Sequence, residues 1–175
     1  MSEPTHPERE RLVRAHLRAG WYGLACFIAL GILLEAFLAF ELRGYVDVEA
    51  QERRLLLRLA HAHGTLLSLL QLGFAFTLDW LNPRGTQGDP DRQGGRDRQG
   101  DPDTQAAPGR ALRVASLGLG MGLGLVPLGF LLGGIQAGSG DPGPGILLVP
   151  VGAAALLVGV VAAALSVGRS GEKVP

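Results

Sequence analysis

Residues Leu59–Leu78 read LAHAHGTLLSLLQLGFAFTL, twenty consecutive positions without a Lys, Arg, Asp or Glu. A helix needs about 20 mostly apolar residues to cross the hydrocarbon core of a bilayer, so this stretch reads as a membrane span. Three comparable windows flank it. Trp21–Phe40 holds one carboxylate, Glu35, while Val114–Gly140 and Pro142–Gly168 hold no charged residue. The whole-chain averages hide this pattern: 16 Lys+Arg offset 16 Asp+Glu, and 47% hydrophobic with 18% charged residues would suit a soluble domain. The charges are confined to ends and connections, which argues against a soluble single-core enzyme. One cysteine excludes a disulfide scaffold, and zero net charge speaks against a nucleic-acid binder.

The sequence therefore predicts an all-α membrane protein with four transmembrane helices in an up-down bundle. Lipid-exposed backbone must satisfy its own hydrogen bonds, and helices do so within one segment. The expected parts are a polar N-terminus over 1–19 and a helical hairpin over 20–78, with spans at 21–40 and 59–78. A disordered low-complexity loop follows over 79–110, then a second hairpin over 111–168, with spans at 114–136 and 146–167, and a tail over 169–175. Glu41–Arg58 starts polar, turns amphipathic and runs helically into span two. The loop carries a near-repeat, GDPDRQ from Gly88 and GDPDTQ from Gly100. It offers few apolar groups to offset ordering entropy. Its Asp-Pro-Asp pairs lack the further oxygens of a calcium loop and read as solvated linker.

Orientation follows from the basic residues. The N-terminus, the long loop and the tail carry 12 Lys+Arg, against 4 in the first connection (Arg43, Arg53, Arg54, Arg58) and none in the last. That bias places both termini in the cytoplasm. Trp21, Tyr22 and Trp80 would then form an aromatic belt at the cytoplasmic interface. The usage of 15 Arg to 1 Lys, with abundant Gly and Ala, suggests a GC-rich bacterial genome, hence a bacterial cytoplasmic membrane. The polar start, with both Arg and Glu, does not resemble a cleaved secretory signal.

An ionisable side chain inside a span is costly and marks a candidate site. Three qualify. Counting inward at the helical rise, Glu35 lies about 7 Å inside the outer end of span one, and His61 and His63 about 3 and 6 Å inside span two. Gln136 ends span three near the same level. At 100° per residue His61 shares a face with Arg54, Arg58, Thr65 and Ser68, flanked by Gln71, and this stripe is expected to face the bundle interior. His63 is turned about 200° from His61, toward Leu59, Leu66 and Phe74, so one regular helix cannot bring both imidazoles to one ion. His6 and His16 fall in the polar N-terminus.

The segment Arg58-Leu-Ala-His61-Ala-His63-Gly64 and its apolar continuation resemble the haem-ligating second helix of the haem-copper oxidase and nitric-oxide-reductase superfamily. The resemblance covers about 20 of the 175 residues. It implies that His61 is an axial haem ligand, with Arg58 beside the haem propionates. The superfamily's other ligand histidines are missing, which leaves one haem between protomers or with a non-His second ligand. The residues themselves support three readings. The first is a non-enzymatic membrane component or subunit with a structural layer of Glu35, Arg58, His61 and Gln136. The second is a haem- or copper-binding redox component, with His61, His63 and Glu35 as metal-ligand candidates. The third is a proton-coupled or small-solute transporter using Glu35 and His61 as a relay.

Spans three and four read as packing surfaces. Gly118, Gly122, Gly129 and Gly133 line one face, and Gly152, Ala155, Gly159, Ala163 and Ser166 another. Small-residue stripes allow the close backbone approach that drives association in lipid, so self-association or a partner subunit is expected through them. Pro127 and Pro150 are expected to kink their helices, since each removes a ladder hydrogen bond. Cys26 reads as a small apolar residue.

Overall fold

The computed structural model describes residues 6–47, 50–80, 102–137 and 141–171. The helices are α1 (His6–Ala39), α2 (Arg43–Val46), α3 (Gln51–Trp80), α4 (Pro102–Ile135) and α5 (Leu148–Gly171), with a 3-10 turn at Pro144–Leu147 leading into α5. Four stretches are long and apolar enough to cross a membrane: Arg9–Ala39, Gln51–Trp80, Gly109–Ile135 and Pro144–Val167.

Helix α1 begins well before the expected span and absorbs the polar N-terminal segment from His6 on. The outward side here carries Glu10 and Arg14, joined at 3.4 Å across one turn. Leu12 and Val13 pack inward, so the segment is amphipathic and extends the helix without burying its charges. The other end of α1 is closed by hydrogen bonds from Leu42 N–H to Phe37 O (3.1 Å) and from Glu41 N–H to Leu38 O (3.2 Å). These are the two bonds of a Schellman cap. The cap puts Glu41 at φ 48°, a left-handed position normally given to Gly.

The expected loop over 79–110 is shorter than the composition suggests. Asp79 and Trp80 complete α3, and α4 starts at Pro102, where a missing N–H costs no ladder bond. Residues 81–101, with most of the near-repeat, lie outside the described residues. Pro150 does not interrupt a helix interior. It is the third residue of α5, in a first turn whose N–H groups have no intrahelical acceptor. Helix α4 runs through Pro127 as one element.

Helix α3 is the centre of the fold, with α1 on one side and α4 on the other, and α5 packs on the far side of α4. Neighbours run antiparallel. Gly20 lies against Ser68 and Leu72 while Gly31 lies against His61; Gly118 meets Gly159 while Gly129 meets Val149. Two apolar clusters form at opposite ends. One joins Phe74, Leu78, Ala115, Leu119 and Ala162, with Leu12 and Val13 of α1 packed on it. The other joins Leu34, Tyr45 and Leu57.

The glycine stripes of α4 and α5 close on each other. A Cβ at Gly118 would stand 2.5 Å from Ala155 O and 2.6 Å from Gly159 Cα, and one at Gly159 would stand 2.8 Å from Leu119 N. The two backbones are in contact, and these faces are consumed inside the chain.

The expected aromatic belt does not form. Trp21 follows Gly20, which meets Ser68 and Leu72, whereas Leu78 and Asp79 border a small cleft with Arg9, Glu10, Val13 and Arg14. Trp80 is therefore about three helical turns from the level of Trp21.

Candidate functional site

The buried face of α3 is Leu56, Leu57, Ala60, Gly64, Leu67, Ser68, Gln71, Leu72, Phe74, Ala75 and Leu78. With Ala60 as its centre, His61 lies about 100° to one side, His63 about 60° to the other, and Arg58 about 160° away, facing outward. Of the expected stripe, Ser68 and the flanking Gln71 are buried, His61, Arg54 and Thr65 are half-buried and Arg58 is exposed, so it turns inward only in part. Small residues decide this: Ala60 and Gly64 let α1 approach until the Phe27 ring covers Gly64, whose Cβ would stand 2.3 Å from that ring.

The two histidines accordingly serve different neighbours. His61 turns to α1, where Nδ1 donates to the Phe27 carbonyl at 2.7 Å. Its ring fits beside Gly31, where a Cβ would stand 2.5 Å from His61 Cε1. His63 turns to α4: its Nδ1 donates to Leu59 O at 2.9 Å, and its ring lies 5.0 Å from that of Phe130. A single ion shared by both is excluded within one chain, in keeping with the 200° separation.

Glu35 and His61 border the same groove without a hydrogen bond or ion pair between them. With Ile28, Gly31, Ile32 and Leu34 they border an open groove of about 400 Å³ between α1 and α3. Glu35 is exposed on the outer surface of α1. The rest of the expected polar layer does not assemble. Among the described residues no hydrogen bond or ion pair joins Glu35, Arg58 and Gln136 to one another or to His61. Arg58 is exposed, and Gln136 abuts the α4–α5 turn at Gly143. Among the described residues no three His, Cys, Asp or Glu side chains converge as a metal site.

A different polar cluster lies deep between three helices. His16 of α1 is 5% exposed, and Gln71 and Ser68 of α3 are 1% and 0% exposed. Gln71 Nε2 donates to Leu119 O at 2.8 Å. A carbonyl only accepts, so this bond fixes the amide orientation and turns Oε1 toward His16 Nδ1–H, its second partner. His16 Nε2 lies 2.8 Å from Ser116 Oγ on α4, and Phe74 meets the ring edge-on at 4.8 Å. One imidazole and one amide thus tie α1, α3 and α4 together through polar groups.

The sequence reading missed His16 because it sits among four arginines before the apolar window. The signal was present in the periodicity: His16, Gly20, Gly23, Phe27, Gly31 and Leu34 recur at three- and four-residue steps, and this is the face α1 turns to α3.

Arginines organise the ends opposite that cluster. Arg54 Nη1 donates to the carbonyls of Tyr45, Val46 and Asp47 at 2.8, 2.6 and 3.2 Å, holding the last turn of α2. Arg53 bridges two connections, donating to Gly44 O and to Ala137 O at 3.1 Å each. Two of the four basic residues of the first connection therefore cap backbone carbonyls. The chain matches no known family model, and no curated protein or solved structure resembles it significantly.

Proposed function

We propose that the chain is a non-enzymatic component of a bacterial cytoplasmic membrane, an up-down bundle with both termini cytoplasmic, that pairs with a second copy of itself through the groove between α1 and α3. Four helices of sufficient length and apolarity support insertion, and the 12-to-4 split of Lys+Arg supports the orientation. One observation carries the pairing: Glu35 stands exposed on the outer surface of an apolar helix, with no polar partner among the described residues. A carboxylate facing hydrocarbon is costly and is retained where something covers it.

A second copy is the occupant that fits. The groove is lined by one acid and one base, and a two-fold axis would set each acid against the base of the other copy. Such a patch is self-complementary in charge. The α4 and α5 glycine faces are already spent within the chain, whereas the groove side of α1 is open. A proton pathway is less well supported, because Phe27 over Gly64 separates the His61 level from the Ser68, Gln71 and His16 level.

The test is cross-linking in bilayers. In a Cys26→Ala background, Ile28→Cys or Ile32→Cys on the groove wall should yield a disulfide-linked dimer, and adding Glu35→Leu should reduce it at least tenfold. Single-step photobleaching of labelled protein at all densities, with no cross-link from either cysteine, overturns the reading.

A further inference from the structure

We infer that each groove is half of a zinc site, completed by His61 and Glu35 of a second copy to give two imidazole nitrogens and two carboxylates around one Zn²⁺. This rests on the pairing proposed above and says what the paired grooves hold.

His61 has the arrangement of a ligand imidazole. Metal-bound histidines characteristically donate their other ring N–H to a carbonyl or carboxylate, which fixes tautomer and orientation. Here Nδ1–H is committed to Phe27 O at 2.7 Å, so the lone pair of neutral imidazole is on Nε2. Nε2 has no hydrogen-bond partner among the described residues, and the ring borders the groove that Glu35 also borders. Gly31 holds the ring close to α1, since any larger residue would displace it.

One chain offers too few ligands, in keeping with the absence of a three-residue cluster among the described residues. Two chains offer four, the number zinc takes in tetrahedral sites, from donors it accepts. Imidazole and carboxylate without thiolate suit a borderline divalent ion. Cys26 is about half a turn of helix away from Glu35 in direction and does not join them. His63 faces Phe130 and stays outside. Charge gives an independent argument. Two carboxylates alone would place two negative charges in an apolar layer, whereas with one Zn²⁺ the unit is neutral. Burial penalises net charge most, so the ion removes the cost that makes Glu35 anomalous.

The experiment titrates Zn²⁺ into metal-free protein in lipid nanodiscs by calorimetry, with Co²⁺ absorption reporting coordination geometry. The expected result is one ion per two chains and a tetrahedral Co²⁺ spectrum. His61→Ala and Glu35→Gln should each weaken binding at least 100-fold, and Gly31→Ala 10- to 100-fold through the displaced ring. His63→Ala should leave it unchanged. Helix content and thermal unfolding of each variant confirm that it folds, and His61→Gln, which keeps a hydrogen-bonding side chain, replaces His61→Ala if that variant is unstable. No binding, binding at one ion per chain, or binding indifferent to His61 and Glu35 overturns the zinc site. Pairing is measured separately in chelator. Dimers that form there without binding zinc refute the site and leave the pairing intact. Protein that stays monomeric with and without zinc refutes the pairing, and the shared site with it.

Discussion

Replacing Gln71 by Leu tests the clasp between α1, α3 and α4. The substitution keeps the side-chain volume close and removes two hydrogen bonds, to His16 Nδ1 and to Leu119 O. Interhelical hydrogen bonds in membranes average about 0.6 kcal/mol each and reach about 1.7. A buried donor left unsatisfied, here His16 Nδ1–H, costs about 1–3 kcal/mol. Together these predict a loss of about 2 kcal/mol for Gln71→Leu. His16→Leu should cost slightly more, because it also removes the edge-on contact with Phe74 at 4.8 Å. The double variant leaves neither partner orphaned, so it should cost less than the sum of the singles by about 1 kcal/mol or more. Reversible unfolding in mixed lipid–SDS micelles, followed by circular dichroism and by Trp21 and Trp80 fluorescence, gives all three values. Single-variant losses below about 0.3 kcal/mol, or strict additivity, would refute the clasp.

Other consequences follow from the packing. Gly118→Leu should destabilise by about 3 kcal/mol or more, because its side chain meets the α5 backbone, which cannot yield. Gly120→Ala and Gly124→Ala, with open space around each, should stabilise by about 0.5–1 kcal/mol in the same unfolding assay. Glu41→Gly should gain about 0.5 kcal/mol by relieving the positive φ of the α1 cap, again by unfolding. Arg53→Met should raise hydrogen exchange at residues 43–47 and 133–137 together, since one guanidinium holds both connections; exchange rising at only one of them would contradict the bridge. A C-terminal reporter active only in the periplasm should stay silent, and activity would reverse the proposed orientation.

Hydropathy alone located all four long apolar helices, because charge exclusion from a span is a strong signal. The helices run on beyond those spans. The rule that finds spans treats Arg11, Arg14 and Arg18 as loop, yet the apolar stripe of Leu12 and Val13 carries the helix through them. The separation of His61 from His63 follows from helical angle and was readable. How far the polar stripe of α3 turns inward was not: Ser68 and Gln71 are buried as expected, while His61 is half-buried and Arg58 exposed. The choice falls to close approach at Ala60 and Gly64, which depends on what α1 and α4 bring: Phe27 filling the space over Gly64, and Leu119 offering a carbonyl to Gln71. That choice pushed Arg58 outward and left the four-residue layer of Glu35, Arg58, His61 and Gln136 unformed. The glycine stripes were readable as adhesive, but not that they adhere to each other.

The clasp also has a consequence for biogenesis. Helices α1 and α3 leave the ribosome before Ser116 and Leu119 of α4 are made. During that interval His16 and Gln71 can satisfy each other but not their remaining polar atoms, while α5, which α4 needs for its glycine face, does not yet exist. In a chain inserted as proposed above, the first hairpin would wait in the bilayer with open hydrogen-bonding capacity directed at a helix still to come. Completing α4 closes that capacity in one step. Under that reading His16 would distinguish an inserted chain from an assembled one, and a chain stalled before α4 would present to the membrane the kind of exposed polar group by which unassembled proteins can be recognised and removed.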